Sequence, residues 1–403
     1  MTWLKQLLPD ITLPPKSGKP LFALSLAAWL MTFGGGVLFP VFPEMVEDLA
    51  LSPEQAGFFA SAFTLTGALC TPFLALLSNR IGHGRLMVVS LVGFGLLGVA
   101  PAFFSSFEAI LAARLLLGIA KAGVTAALLA ILVTLLSGIA RTNVLGYATG
   151  FMTLSGIATY LLAGLAGSGD WRHAFFVFLL ALPVAGFAHM ALSGTAAATK
   201  PAERPAHQRS SLWSTLGHGP LLLFLAAIPV VSGGAQILRV YGPLHLKALF
   251  DSGPETNGVL LAIMALGAVL VSALLSGRVA RRIGRGPTIA LGLALMGLSL
   301  AALLSASGLS LSGLCFFAVG AGFGLAMPTL FDALANHAED HQKTTVMALG
   351  SSVNGLGLFL APVVMGSVWA AFGFEAVFFS AAAVALCAAL LLVWVRPSAA
   401  PDR

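Results

Sequence analysis

Polar and apolar positions along this chain segregate into long blocks: apolar runs of twenty residues or more, parted by short polar gaps. Twelve runs can be drawn, at roughly 20–43, 54–78, 86–105, 108–138, 143–167, 172–193, 219–243, 255–276, 287–307, 310–334, 345–371 and 374–395. Each predicts a helix that crosses a bilayer, because ~20 residues at ~1.5 Å rise cover a hydrocarbon core of ~30 Å. The longest polar gap, 194–218, is rich in Ala, Pro, Ser and charge and separates six runs from six. It reads as a cytoplasmic linker. The predicted organisation is an N-terminal segment 1–19, a six-helix bundle 20–193, the linker 194–218, a second bundle 219–395 and a tail 396–403.

The two halves repeat each other. SPEQAGFF at 52–59 parallels GPETNGVL at 253–260, and NRIGHG at 79–84 parallels RRIGRG at 281–286. From there the offset holds at 202, pairing Gly118 with Gly320, Arg141 with Lys343, Thr142 with Thr344, Val144 with Val346, Gly164 with Gly366 and Phe176 with Phe378. Parallel repeats of this kind are one of the building plans of secondary transporters, with the cargo held near the midplane between the halves. The predicted fold class is an all-α membrane protein of twelve transmembrane helices in two pseudo-symmetric six-helix bundles.

Composition agrees. Of 403 residues 58% are hydrophobic and 9% charged, against ~25% charged in soluble proteins. That excludes a soluble enzyme, a disordered chain and a disulfide-stapled secreted domain. Cys70, Cys315 and Cys387 all lie in apolar runs, without metal-ligand spacing, and read as packing residues. The first run is too long for a signal-peptide core and reads as a retained helix. With both termini placed in the cytoplasm, 16 of the 21 Lys and Arg residues fall in inside segments and only Arg172 and Lys247 in outside ones. This bias orients the chain in a bacterial inner membrane. It also removes nucleic acid as a partner, although the net charge is +6.

At this point the chain resembles the major facilitator superfamily over nearly its whole length, closest in pattern to its drug and metabolite efflux branch. ALLSNRIGHGR at 75–85 is similar to that family's loop between helices 2 and 3: Arg80, Gly82 and Arg85 match, while Asn79 stands where Asp is usual. The second copy keeps Arg282 and Gly284 but has Arg281 at the acidic position. The resemblance implies that these two loops gate the cytoplasmic side, here without their acidic partner. RLLLGIAKAG at 114–123 and GDWRHAFF at 169–176 resemble the family's fourth-helix and sixth-helix motifs. The Gly-Pro and Gly-Gly motif of proton-driven antiporters is not matched; SGIATYLLAG stands there, with Tyr160 aligned to Pro362.

Charges inside a bilayer are costly and mark function. Arg114 and Lys121 lie seven residues apart, two turns along one face of the fourth run. Gly118 between them keeps that face open. Their counterparts in the second half are Phe316 and Phe323, so the scaffold itself does not require cations there. Arg239 follows the unwinding-prone pair Gly233-Gly234, one turn after Gln236. Against these cations one acid falls within a run, Asp332, while Glu44 and Glu108 sit at helix ends. The interior is therefore net positive, which favours an anionic or zwitterionic cargo. Tyr160 and Asn354 complete the predicted cargo-binding set with Arg114, Lys121, Arg239 and Gln236. Asp332, Glu44 and Glu108 are the candidates for proton coupling. The prolines Pro40, Pro43, Pro328 and Pro362 and the stretch Gly34–Gly36 predict kinks in helices 1, 10 and 11.

GFGLLG at 93–98 lies inside an apolar run and reads as helix packing. His337 and His341 read as a solvated loop, and no HExxH, GxSxG or Walker pattern occurs. The expectation is a monomeric secondary transporter, not an enzyme, with no cofactor or metal. Its partners are a small-molecule substrate, protons as coupling ion and the lipid bilayer. The expected activity is export; the alternatives are proton-coupled uptake of an organic anion and multidrug efflux of lipophilic cations.

Overall fold

A chain in hydrocarbon must satisfy its backbone polar groups within itself, and the apolar runs do so as helices. The computed structural model describes residues 18–135, 154–193, 219–338 and 342–394, and no strand occurs among them. Eleven described helices are long and apolar enough to cross a membrane. In chain order the helices are α1 (Gly18–Asp48), α2 (Pro53–Ile81), α3 (His83–Ala102), α4 (Phe107–Leu135), the shorter stretch α5 (Leu154–Ala166), α6 (Trp171–Leu192), α7 (Gly219–Phe250), α8 (Pro254–Ile283), α9 (Arg285–Leu303), α10 (Leu309–His337), α11 (Lys343–Phe372) and α12 (Glu375–Trp394). The linker 194–218, the tail 396–403, most of the N-terminal segment, the start of run 143–167 and His341 lie outside the described residues.

The described contacts divide the chain into two compact units: Met1–Gly34, Thr66–Gly156 and Phe175–Pro205, then Gly35–Leu65, Ile157–Ala174 and Ala206–Arg403. In the first unit α3 packs on α4 and on α6. Phe178 fills the space left by Gly98 of α3 and meets the rings of Phe33 and Phe94 at 5.9 and 5.3 Å, while Gly95 faces Leu182 and Ala181. Gly118 of α4 meets Gly67 of α2, and Thr66 Oγ1 donates to the Leu115 carbonyl at 2.8 Å. Gly118 thus serves a close helix crossing.

In the second unit α9 lies on α10 and α12, α8 on α10, and α7 on α11. Here the repeat is visible as paired crossings. A Cβ on Gly164 (α5) would stand 2.6 Å from the Pro254 carbonyl of α8, and one on Gly366 (α11) 2.7 Å from the Pro53 carbonyl of α2. A Cβ on Gly258 would stand 2.6 Å from the Tyr160 carbonyl, and one on its counterpart Gly57 would meet that of Pro362. Backbone against backbone leaves no room for a side chain, so only glycine lets these helices approach. Two hydrogen bonds tie further helices to these crossings: Tyr241 Oη of α7 donates to the Pro362 carbonyl of α11 at 2.7 Å, and Asn257 Nδ2 of α8 to the Pro40 carbonyl of α1 at 3.2 Å. Segments from both halves of the sequence are thereby bound within this unit.

Three details differ from the sequence expectation. α7 runs unbroken through Gly233-Gly234, because Gly233 is used to pack against Ala361 of α11. α1 and α7 continue past 43 and 243 to Asp48 and Phe250, and Glu44 and Glu47 of the one pair with Lys247 of the other. α8 contains a wide turn at Ser272–Ser276, directly before Gly277, that the apolar run did not predict. The expected break in α1 is present: the helix is interrupted at Met31-Thr32 and at Val37, on either side of Gly34–Gly36. Pro328 and Pro362 lie inside continuous helices.

Candidate functional site

In the first unit Arg114 is 1% exposed, and its Nη2 donates to the Gly34 carbonyl of α1 at 3.3 Å. The broken stretch of α1 thus presents a carbonyl that a regular helix would have used, and the guanidinium takes it. Lys121 is half-buried two turns further along α4. Its carbonyl accepts from Thr125 Oγ1 at 2.9 Å, and that hydroxyl lies 4.0 Å from Met31 Sδ. Both cations therefore belong to a region of α4 that runs beside α1. Glu108 is exposed in the first turn of α4.

In the second unit Arg239 is half-buried, and its Nε has no hydrogen-bond partner among the described residues. Gln236, one turn earlier, is buried. Ser232 on the same helix donates from Oγ to the Asn354 carbonyl at 3.4 Å, which ties α7 to α11 beside these residues. Tyr160 lies at the α5–α8 crossing against Gly258.

The acids are engaged elsewhere. Asp332 bonds Arg285 Nε at 2.6 Å, with its side chain 54% exposed. Glu44 Oε1 lies 3.3 Å from Lys247 Nζ, and Glu47 3.6 Å from the same ammonium. Glu44 Oε2 is buried without a partner among the described residues. Asp48 takes Arg172 Nη2 at 3.0 Å and Trp171 Nε1 at 3.1 Å, while the Arg172 guanidinium lies 4.3 Å from the Trp171 ring centroid. The two basic residues assigned to outside segments, Arg172 and Lys247, are thus both held by acids in the last turns of α1. Sequence reasoning missed Glu47 and Asp48 in this cluster; the signal was three acids within five residues at a helix end.

The loops at 79–85 and 281–285 adopt one geometry. Gly82 and Gly284 have φ of +92° and +88° and precede α3 and α9, a left-handed turn that favours glycine. Asn79, Arg80, Gly82 and Arg85 line a cavity of about 440 Å³ together with His189 of α6. Ser78 Oγ and His83 Nδ1, both buried, lie 2.6 Å apart behind it. In the second copy Arg281 and Arg282 lie in the last turn before Gly284.

The sequence profile of the Major Facilitator Superfamily matches residues 24–362 and, in a second match, 230–403. The chain belongs to the major facilitator superfamily. It is a membrane transporter of that superfamily and not an enzyme. It is similar to multidrug resistance protein 2 of Bacillus subtilis (strain 168), 22% identical over 86% of this chain and 88% of that one. It is similar also to multidrug resistance protein MdtG of Escherichia coli O9:H4 (strain HS), 25% identical over 90% and 91%. Among solved structures, a bacterial homologue of the human lysosomal transporter Spinster, in an inward-facing and occupied conformation, superposes with a TM-score of 0.79 at 14% identity, covering 96% of this chain and 99% of that one. That likeness establishes the fold.

Proposed function

We propose that this transporter exports a small anionic or zwitterionic organic molecule across a bacterial inner membrane, by alternating access of the halves 20–193 and 219–395, with both termini cytoplasmic. The observation that carries the reading is the sorting of charge. Arg114, Lys121 and Arg239 lie within spans, while Asp332 and Glu44 are engaged by Arg285 and Lys247. No Asp or Glu occurs between Glu54 and Glu108, between Glu108 and Asp170, or between Glu255 and Asp332. A desolvated anion needs cationic partners, and Lys121 and Arg239 are the groups assigned to meet it, with Gln236, Tyr160 and Asn354 as polar contacts. Arg114 braces the broken part of α1 and adds to the positive field. Among the three coupling candidates Glu44 is favoured, because Asp332 and Glu108 are exposed. Protonation of Glu44 removes its charge, leaves Glu47 as the carboxylate facing Lys247, and loosens the link between α1 and α7.

The names of the relatives favour export, and they support a second reading, multidrug efflux. Proteoliposomes of the wild type and of Lys121→Ala, offered anionic and cationic cargoes under an imposed pH gradient, separate the two. The proposal expects anion flux that Lys121→Ala abolishes. Equal flux of lipophilic cations in both proteins overturns it in favour of multidrug efflux.

A further inference from the structure

We infer that the cavity under the first gating loop is a binding site for the phosphate of an anionic phospholipid headgroup. Arg80, Arg85 and His189 line it, with Gly84 and Ser193. Neither arginine makes an ion pair among the described residues. The stretches that build the cavity supply no carboxylate either, since no Asp or Glu lies between Glu54 and Glu108 or between Asp170 and Glu203. At the acidic position of the loop stands Asn79. Two guanidinium groups and an imidazole thus surround about 440 Å³ of space without a counter-charge among the described residues, in the size range of ligand sites.

The backbone adds to the charge. The cavity lies at the start of α3, where the left-handed turn at Gly82 begins the helix, and the N–H groups of its first turn have no acceptor within the helix. Such a terminus attracts phosphate, and guanidinium groups bind phosphate oxygens in pairs.

The second copy of the loop shows what the first lacks. There Arg285, in the place of His83, is held by Asp332. The position of Asp332 corresponds in the first half to Ala130, and those of His189 and Leu192 correspond in the second half to Leu391 and Trp394. The second copy thus carries an acid of its own, whereas the first has none among the described residues.

The apolar part of the rim selects a lipid over a free anion. Ile81, Val88 and Leu192 line the same cavity, and Leu77 and Val89 of the adjoining turns expose their side chains. A phospholipid can lay its glycerol and acyl chains along these while its phosphate meets the arginines. Basic pockets between membrane helices on the cytoplasmic side are suited to anionic headgroups in this way. The bound phosphate then supplies the charge that Asn79 does not, and the loop becomes responsive to the lipid of its leaflet.

The test uses the full-length protein in phosphatidylcholine nanodiscs with and without phosphatidylglycerol, and native mass spectrometry to count retained lipid. The wild type is expected to retain phosphatidylglycerol, and Arg80→Gln with Arg85→Gln to lower its affinity on the order of tenfold or more. Arg281→Gln with Arg282→Gln serves as the control for general basic attraction and is expected to leave retention unchanged. Asn79→Asp, which restores an internal carboxylate without removing an arginine, is expected to weaken retention as well, and it keeps the test decisive if the double variant does not fold. Equal retention by the wild type, the Arg80/Arg85 variant and Asn79→Asp overturns the proposal, as does an equal loss in the Arg281/Arg282 control. Displacement of the lipid by millimolar inorganic phosphate overturns the lipid as the source and assigns the site to a free anion.

Discussion

α4 and α10 occupy the same place in the two repeats, yet they differ where it matters chemically. Arg114 and Phe316 are both fully buried, and Lys121 and Phe323 are both half-buried. Phe316 fills the space beside Gly242 with a ring; Arg114 fills its own with a guanidinium bonded to the Gly34 carbonyl. The glycines at the helix crossings behave in the opposite way. Gly57 and Gly258 match, as do Gly164 and Gly366, and each pair makes the same kind of backbone contact. The repeat therefore holds where helices must touch, and it is broken where one half carries charge that the fold does not require. Identical burial with different chemistry marks function more clearly than burial alone.

The largest effect should come from giving α4 the apolar character of α10. Lys121→Met removes the charge at nearly constant volume. Loss of one partner from a desolvated charge pair costs about 2–5 kcal/mol, so flux of an anionic cargo into everted vesicles should fall by roughly thirtyfold or more. Phe323→Leu, at the matching position, should leave the same flux within about threefold, since it alters packing by little. Equal losses in the two variants would break the comparison.

Next come the crossings, where the two halves should respond alike. Gly164→Val and Gly366→Val each place a branched side chain where 2.6 and 2.7 Å separate a Cβ from a carbonyl oxygen. Overpacking of this kind costs about 1–3 kcal/mol, and both variants should lower the thermal midpoint in detergent by similar amounts. A loss confined to one of them would show that the pseudo-symmetry is not energetic.

The ion pairs of Lys247 rank third. Its side chain is 28% exposed and that of Glu44 18%, so the pair lies between a surface and a buried bridge. A double-mutant cycle with Glu44→Gln and Lys247→Gln should return a coupling of about 1 kcal/mol. No measurable coupling would remove the basis for choosing Glu44 over the other acids.

Much of this was legible in the sequence, because hydropathy in a membrane chain speaks directly to helix position. The spans, the repeat offset and the glycines at 164 and 366 were all readable. The last turns of α1 and α7 were not, since Glu44, Glu47, Asp48 and Lys247 look like loop residues until their mutual pairing is seen. Gly233-Gly234 suggested unwinding, but a glycine pair equally serves a close crossing, and only Ala361 on the facing helix decides between them. The cavity of the first gating loop was hidden for a related reason. Asn79, Arg80 and Arg85 were recognisable as a motif, whereas His189 and Ser193 reach the cavity from α6, more than a hundred residues away.

The smallest effect should belong to the Arg285–Asp332 pair, and its smallness is informative. Its Nε–O distance of 2.6 Å is short, but the two side chains are 41% and 54% exposed. Water screens exposed pairs, and such bridges contribute about 0–1 kcal/mol. Asp332→Asn should therefore shift thermal stability by less than ~1 kcal/mol. It should also leave proton-driven flux nearly unchanged, because a carboxylate already held by an arginine near a helix end makes a poor carrier of protons through the membrane. What the substitution should change is the second loop's demand for charge. With Asp332 neutralised, Arg285 joins Arg281 and Arg282 without an acid among the described residues, and the second copy comes to resemble the first. A gain in phosphatidylglycerol retention by Asp332→Asn would then show that an acid inside the chain and a phosphate outside it are interchangeable partners for the same loop.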